Sequence, residues 1–324
     1  MTRRTRYVLL GGAGVMAVGL AGGLAAWVSS SLPSLVLAQE QPDELRYVPP
    51  EATILSFANV REVMDSDLRR RLREIQPELD GQREFQERTG IDIERDIEYV
   101  VGGLVPDGSN QSSGIAILAG RFEVERLEAL ALEHGGTATD YRGRRLITIA
   151  GEPVAMAFLE SGVIAIGSEP VVRRTIDLPF TGGGVDSNDS LLSLLGHVDS
   201  GSTAWTIGRL DSTVDGAWLP DEVESQVAQV AAFAVGARVN GGVSGSLTAE
   251  ARDEDTGRNL RDLLQGFLAL ARLQLGSRPE LRSLLDSIRL TSAGTNVTLA
   301  FDLPADAVLE LLPDRSDADA ASAP

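Results

Sequence analysis

Residues 52–60 read Ala-Thr-Ile-Leu-Ser-Phe-Ala-Asn-Val and decide the first element of the fold. The stretch is rich in β-branched and apolar residues, which predicts a strand. An apolar series at helical spacing follows directly: Met64, Leu68, Leu72 and Ile75. This strand therefore leads into an amphipathic helix, and we expect a solvated outer face on the helix, formed by Arg69, Arg70, Arg71 and Arg73.

A second stretch, Thr203-Ala-Trp-Thr-Ile-Gly-Arg-Leu210, resembles the first at an offset of 150 residues. A helical segment and further β-rich segments follow each of the two. This repeat suggests that the chain contains two related halves, although one matching segment does not establish a duplication.

The remaining segments alternate between short strands and amphipathic helices, so the fold class is α+β. Leu146 to Ile149, Val154 to Leu159 and Val163 to Ile166 predict an antiparallel meander. We expect antiparallel sheets with helices packed on one face, preceded by one N-terminal transmembrane or signal helix. The predicted divisions are a leader (1–38), a spacer (39–50), an α+β domain (51–177), a linker (178–200), a second α+β domain (201–312) and a disordered tail (313–324).

The leader begins with a basic cluster, Arg3, Arg4 and Arg6, and continues from Tyr7 to Val28 with 22 uncharged residues. Such a helix is roughly 33 Å long, enough to cross the ~30 Å hydrocarbon layer. Because acidic residues follow the segment, we expect the N-terminus in the cytoplasm and the body outside. Two fates stay open: an uncleaved anchor, or cleavage after Ala38, which lies farther from the apolar run than such sites usually do.

The rest of the chain is strongly acidic. After Arg6 it has 26 arginines and 47 acidic residues, a charge of −21. This field disfavours nucleic acid as a partner. Cysteine is absent, which excludes disulfides and thiolate chemistry, and only two histidines are present.

The densest carboxylate cluster is Asp92, Glu94, Asp96 and Glu98. Paired carboxylates can bind Ca²⁺ or act as acid and base in glycoside hydrolysis. Acids in the first turn of a helix after Gly90 are also favoured by the helix dipole, which explains them without a ligand. We favour the second explanation.

Other candidate sites have equally plain structural explanations. His134 and His197 each end a leucine-rich stretch beside a glycine, where a histidine can cap a helix. Asp253-Glu-Asp-Thr-Gly257 resembles the start of a calcium loop, but Leu264 occupies the position of the bidentate glutamate. We predict a helix cap at Asp255 or Thr256 instead.

Two further patterns concern a nucleophile and a groove. Gly241-Gly-Val-Ser-Gly245 places Ser244 off register for a nucleophile elbow. Trp205 and Phe267, with the apolar helix from Leu260 to Leu275, could line a lipid or peptide groove, but core packing is the default explanation. The broad apolar face of this helix must be covered by the sheet or by another protomer.

Three segments carry a resemblance to a known group of proteins. They are Val48-Pro-Pro-Glu-Ala-Thr-Ile-Leu-Ser-Phe-Ala-Asn-Val60, Gly90-Ile-Asp-Ile-Glu-Arg-Asp-Ile-Glu98 leading to Gly114-Ile-Ala-Ile-Leu118, and Gly162-Val-Ile-Ala-Ile-Gly-Ser-Glu-Pro-Val-Val-Arg173. In this order they resemble a broad group of uncharacterised exported bacterial proteins, over residues 45–177, about 40% of the chain. The resemblance implies export and fold, and it supplies no catalytic residues.

These observations favour a membrane-tethered, extracytoplasmic binding or scaffolding module whose ligand the sequence does not identify. We assign no catalytic, cofactor-binding or metal-binding residue. The expected partners are the membrane, through the N-terminal helix, and a protein of the cell envelope, with a homo-oligomer as a further option. The alternative function is an envelope hydrolase that uses carboxylates such as Asp92 and Glu94.

Overall fold

The computed structural model describes residues 42–75, 82–106, 112–210, 229–275 and 285–310. The protein combines helices with one large antiparallel sheet, so the predicted α+β class is confirmed. The predicted leader and tail lie outside the described residues. Within the described part of the chain, no helix has the length and apolar character needed to cross a bilayer.

The 12 strands found in the described residues belong to a single sheet, whose order is β11-β12-β10-β9-β8-β1-β2-β3-β7-β6-β5-β4. The strands are β1 (Ile54–Asn59), β2 (Ile97–Pro106), β3 (Ser112–Gly120), β4 (Gly136–Tyr141), β5 (Arg144–Ile149), β6 (Val154–Glu160), β7 (Val163–Ser168), β8 (Ala204–Arg209), β9 (Val230–Val239), β10 (Gly242–Ala251), β11 (Arg289–Ala293) and β12 (Asn296–Pro304). The predicted meander is therefore present as β5, β6 and β7.

The α-helices connect these strands or flank them. They are α1 (Val60–Asp65), α2 (Asp67–Ile75), α3 (Gln82–Thr89), α4 (Ile93–Asp96), α5 (Val124–Glu133), α6 (Glu169–Thr181), α7 (Asp189–Leu192), α8 (Glu254–Leu275) and α9 (Ala305–Glu310). Three short 3₁₀ helices span Asp43–Tyr47, Val185–Ser187 and Ser193–His197.

The two stretches that resemble each other in sequence lie side by side at the centre of the sheet. β1 pairs antiparallel with β8, with Phe57 opposite Trp205 and Ser56 opposite Thr206. The hydroxyl of Thr206 donates to Ser56 Oγ at 3.0 Å. Ser56 and Thr206 are also equivalent under the offset of 150, so a local twofold axis between them relates the two strands.

The strand order on each side of this axis follows the same plan. Three consecutive strands lead outward from the centre, a helix follows the third, and the next strands return in reverse order. The first half, β1 to β7, has four returning strands, and the second half, β8 to β12, has two. This shared topology is what two related halves would produce.

Helices cover both faces of the sheet, so the predicted packing on one face only is wrong. Neighbouring residues of β5 point to opposite faces, as in any strand. Leu146 packs in a cluster with Val171 and Ile176 of α6, whereas Ile147 packs with Leu127 of α5. The prediction fails because several strands carry apolar residues on both faces. Such strands lack the alternation of apolar and polar residues from which a single buried face is inferred.

The two halves also share helices. Val63 of α1 and Leu68 of α2 follow the first central strand but pack against Phe301 and Leu303 of β12. The amide of Leu68 donates to the carbonyl of Asn240, which follows β9, at 2.8 Å. The two predicted domains, 51–177 and 201–312, therefore contribute to one sheet and one set of packing contacts, and the division between them stays a prediction.

Segments predicted as spacer and linker are packed where the structure describes them. Leu45 and Val48, in the predicted spacer, are fully buried, and the amide of Val185 donates to the carbonyl of Val48 at 2.8 Å. In the predicted linker, Leu191 and Leu194 join the main core. These segments are polar in overall composition, but a few of their apolar residues pack into the core.

Candidate functional site

The acidic cluster predicted from the sequence surrounds the short helix α4. Asp92 is its N-cap, and the Asp92 carboxylate accepts from the amide of Glu94 at 3.0 Å. Asp96 reaches back to accept from the amide of Asp92 at 2.8 Å. Two of the four carboxylates therefore satisfy backbone donors around α4. The predicted placement in the first turn of a helix holds only in part, because Glu98 lies on β2.

Arginines from several elements neutralise this cluster. Glu94 lies between Arg69 and Arg73 of α2 and forms ion pairs with both. The side chains of Arg69 and Glu94 are only 9% and 15% exposed, so this pair ties α2 to α4 in a largely dry environment. The remaining pairs are Asp92 with Arg95 at 3.7 Å, Asp96 with Arg121 at 3.3 Å and Glu98 with Arg61 at 2.9 Å.

This geometry uses the carboxylates as links between elements. An acid and base pair for hydrolysis needs two carboxyl groups that face a common substrate, whereas each of these faces an arginine. Among the described residues, no group of three or more histidines and acidic residues could hold a metal ion. The prediction that Arg69 lies on a solvated face is wrong, because Glu94 draws its guanidinium into the interior.

A second charged cluster, which the sequence did not indicate, fastens the β4–β5 hairpin to α6. The hydroxyl of Tyr141 donates to Asp177 Oδ2 at 3.0 Å, and Arg142 Nε lies 2.5 Å from Asp177 Oδ1. The Arg142 guanidinium also lies 5.1 Å from the ring centroid of Phe180, which is 65% exposed. Arg173 lies over the ring of Tyr141 at 4.5 Å.

The backbone at this hairpin is strained. Arg142 has φ of 52° and is the only non-glycine residue with positive φ among the described residues. With Gly143 at 76° it forms the two-residue turn that usually contains Asn-Gly. The ion pair with Asp177 and the contact with Phe180 offset this strain, so the cluster has a structural explanation within the chain.

The two histidines are placed as helix ends. His134 follows α5, and its Nδ1 lies 2.8 Å from the carbonyl of Leu130, so the ring caps the helix as predicted. His197 ends the 3₁₀ helix Ser193–His197 and is exposed.

The remaining sequence motifs also serve the fold. Asp253 caps α8 by accepting from the amide of Thr256 at 2.7 Å, a bond that lowers the pKa of Asp253. The cap therefore lies two residues before the predicted Asp255. Ser244 lies within β10, away from any strand-to-helix turn.

The two aromatic residues proposed for a groove behave differently. Trp205 is 2% exposed, and its ring lies 5.7 Å from that of Phe57 in the main core, as the default explanation predicted. Phe267 is 60% exposed, so the core explanation is wrong for this residue. Leu270 and Leu273, on the same helix, are 47% and 81% exposed. The uncovered apolar surface of α8 is therefore the feature that the contacts within the described chain leave unexplained.

Comparison with known proteins supports the fold only. The chain matches no family model and no curated protein. Crystal form III of a protein named TP0453 aligns with a TM-score of 0.50 at 9% identity, covering 85% of this chain and all of the other. Crystal form IV of the same protein aligns with a TM-score of 0.46 at 9% identity, covering 83% of this chain and 96% of the other. At such low identity the likeness to form III extends to the arrangement of helices and strands, and no family assignment follows.

Proposed function

We propose that the chain is a membrane-tethered, extracytoplasmic binding or scaffolding module. The tether in this proposal is the uncharged stretch from Tyr7 to Val28, preceded by Arg3, Arg4 and Arg6. An apolar helix of this length can span a bilayer, and arginines at its N-terminal end favour a cytoplasmic N-terminus. The resemblance to exported bacterial proteins agrees with this orientation.

The main support for the proposal is that the carboxylates of the acidic cluster form ion pairs that hold elements of the fold together. Asp92, Glu94, Asp96 and Glu98 are the residues best suited to chemistry, and each is engaged by an arginine. The hydrolase alternative needs Asp92 and Glu94 to leave these partners. Binding needs no such rearrangement, and it uses the surface as it stands.

The packed start of the body limits its distance from the membrane. Pro42 is the first described residue, and the chain is anchored in the core from Leu45 onward. Residues 29–41 can span at most about 45 Å when fully extended. The proposed tether therefore keeps the body close to the bilayer, where its charge of −21 favours a cationic ligand or a basic surface of an envelope protein.

A fractionation and topology experiment tests the tether. The full chain is expressed with a C-terminal reporter that is active only outside the cytoplasm, and membranes are washed with high salt and with carbonate. We expect the chain in the membrane fraction and an active reporter. A chain in the soluble cytoplasmic fraction with an inactive reporter contradicts the proposal.

A matched variant shows whether the apolar stretch is responsible. Replacing Val18 and Leu20 with arginine places two charges near the middle of the segment, at about 2.5–3.5 kcal/mol each on the insertion scale. The body sequence is unchanged in this variant. Loss of both membrane association and reporter activity is the expected result, and retention of both would show that another part of the chain directs it to the membrane.

A further inference from the structure

The longest helix of the described chain is poorly covered by the other described residues. α8 has 22 residues, about 33 Å of helix, and its main contacts are with β10, β11 and β12. Gly257 is its only buried residue among those with described side chains. Phe267, Leu270 and Leu273 are three of the five large apolar residues that are exposed in the described part of the chain. A patch of this kind, concentrated within seven residues, indicates an interaction surface.

The exposed residues belong to an ordered stripe. Leu263, Gly266, Leu270 and Leu273 follow each other at intervals of three and four residues, which places them along one line of the helix. This is the spacing of the contact line between two helices that pack with a small crossing angle. Phe267 flanks the stripe beside Gly266. We define these five residues as the α8 stripe.

The next described residues after α8, from Leu285 onward, contact the opposite side of the helix. Arg272 Nη2 donates to the carbonyls of Leu285 and Ile288, at 3.1 and 3.4 Å. Arg272 lies two residues after Leu270 and is therefore rotated from it by about 200°. The contact that ties the helix end to Leu285 thus lies on the far side from the α8 stripe.

The contacts of the described residues do not explain Gly266. A glycine inside a helix costs about 1 kcal/mol relative to alanine. A side chain at this position would meet no atom of the described residues within 4 Å, so the fold described here does not require a glycine. Small residues on a helix surface allow another helix to approach closely. Gly266, in the middle of the apolar stripe, therefore indicates a closely packed helix as the occupant.

We propose that this occupant is α8 of a second copy of the chain, packed antiparallel about a twofold axis beside Gly266. In that arrangement Leu263 of one copy lies opposite Leu270 of the other, and the two Gly266 backbones meet at the crossing point. The stripe contains no ionisable residue, so two copies of a chain with net charge −18 approach here without opposing like charges. This inference goes beyond the proposed binding role and does not depend on the tether.

Disulfide trapping tests the proposal, because the full chain contains no cysteine. Gly266→Cys places a thiol at the crossing point, and Gln265→Cys, its matched control, places one away from the stripe on the same helix turn. After mild oxidation of the full chain in membranes or mild detergent, we expect a species at twice the 34.4 kDa mass for Gly266→Cys. The yield should exceed that of Gln265→Cys by at least about tenfold, or ~1.4 kcal/mol.

A second variant separates loss of pairing from loss of folding. Gly266→Leu improves helix propensity and meets open space in the described chain, so the fold should persist with an unchanged circular dichroism spectrum. Sedimentation should show a dimer for the natural chain and a monomer for Gly266→Leu.

Three results would overturn the proposal: equal cross-linking at positions 265 and 266, absence of cross-linking at both, or a natural chain that sediments as a monomer. A monomeric Gly266→Cys variant whose introduced thiol becomes shielded from a water-soluble maleimide only when lipid vesicles are added would also overturn it, and would assign the stripe to a bilayer. A soluble chain that still dimerises through Gly266 would refute the tether alone.

Discussion

The helices α5 and α8 occupy equivalent places in the two halves, but the rest of the described chain covers their apolar side chains to different extents. Each follows the third strand of its half and leads to the returning strands. α5 has 10 residues and buries Leu127 against Ile147, Phe158 and Ile164, in a half with four returning strands. α8 is more than twice as long, and the described part of its half has two returning strands. α5 exposes one large apolar residue, Leu132 at 47%, whereas α8 exposes three, so the same topology leaves the larger uncovered apolar surface in the second half.

The two halves share one order of strands and helices, but the larger exposed apolar surface lies on the long helix of the second. An apolar helix surface that the sheet does not cover is expected to contact another partner. α8 is exposed at Phe267, Leu270 and Leu273, and this surface is the one assigned above to a second copy of the chain.

The largest expected contrast is between two aromatic residues. Trp205→Ala removes a buried side chain from β8, the first strand of the second half, and should lower the free energy of unfolding by about 3–5 kcal/mol. Phe267→Ala removes an exposed side chain and should change the stability of the dissociated chain by less than about 0.5 kcal/mol. Urea denaturation at low protein concentration measures both. A large loss for Phe267→Ala would show that α8 is covered within its own chain.

The next contrast concerns ion pairs. Glu94→Gln leaves the nearly buried Arg69 of the first half without its charge partner, and we expect a loss of about 2–4 kcal/mol. Asp255→Asn breaks the exposed pair with Arg258 at the start of α8 and should cost less than about 1 kcal/mol. Urea denaturation of the two variants measures the difference.

A double variant, Arg69→Met with Glu94→Leu, controls for the loss of charge balance. It should recover much of the stability lost in Glu94→Gln, because apolar side chains can replace a buried pair. Equal, small losses for Glu94→Gln and Asp255→Asn would contradict the structural role assigned to the acidic cluster.

The smallest expected effects are on the pH dependence of stability, at alkaline pH for Tyr47 and at acidic pH for Asp253. Burial raises the pKa of Tyr47, in the first half, above its ordinary value of 10.0. The stability that this residue contributes is therefore present below pH 10.0 and lost as the pH rises through the folded pKa. Tyr47→Phe should flatten the alkaline decline in thermal stability, and an unchanged decline would place the responsible group elsewhere.

Asp253 gives the opposite dependence in the second half. The hydrogen bond from the amide of Thr256 lowers its pKa below 3.8. Its contribution is present above pH 3.8 and lost as the pH falls through the folded pKa. Asp253→Asn keeps a capping side chain that does not titrate, so the acid decline in α8 helicity should be weaker. Circular dichroism at pH values from about 2 to about 5 measures this difference, in the range where aspartate titrates.

The strands are the most predictable part of the fold. Residues 52–60 and 203–210 are recognisable as strands because short runs of β-branched and aromatic residues between turns are typical of strands. Their direct pairing is not predictable from these patterns, since the contact joins residues 150 positions apart and sequence patterns are local. The use of both sheet faces escapes prediction for a similar reason, because a strand buried on both sides shows no alternation.

The sequence shows which residues form the candidate site, but it does not show which contacts they make in the fold. The cluster from Asp92 to Glu98 and its place near a helix start are visible in the sequence, but its capping role is not. Apart from Arg95, its arginine partners come from α1, from α2 and from the turn after β3. The arginine run from Arg69 to Arg73 is equally visible, but which of its members turns inward depends on the position of α4. The apolar neighbours of Phe267 suggest a core position, because helical periodicity shows that a face is apolar and not what covers it.

The junction between β1 and β8 unites the two halves into one sheet, and the comparison of the halves depends on it. Ser56→Cys with Thr206→Cys places two thiols where the hydroxyl oxygens are 3.0 Å apart, in an otherwise cysteine-free chain. Under mild oxidation at low protein concentration, we expect an intramolecular disulfide, seen by mass spectrometry as the loss of two hydrogen atoms, with native circular dichroism. The pair Ser56→Cys with Thr248→Cys, on a strand farther from β1, should remain reduced. Two free thiols in the folded Ser56→Cys/Thr206→Cys chain would contradict the continuous sheet.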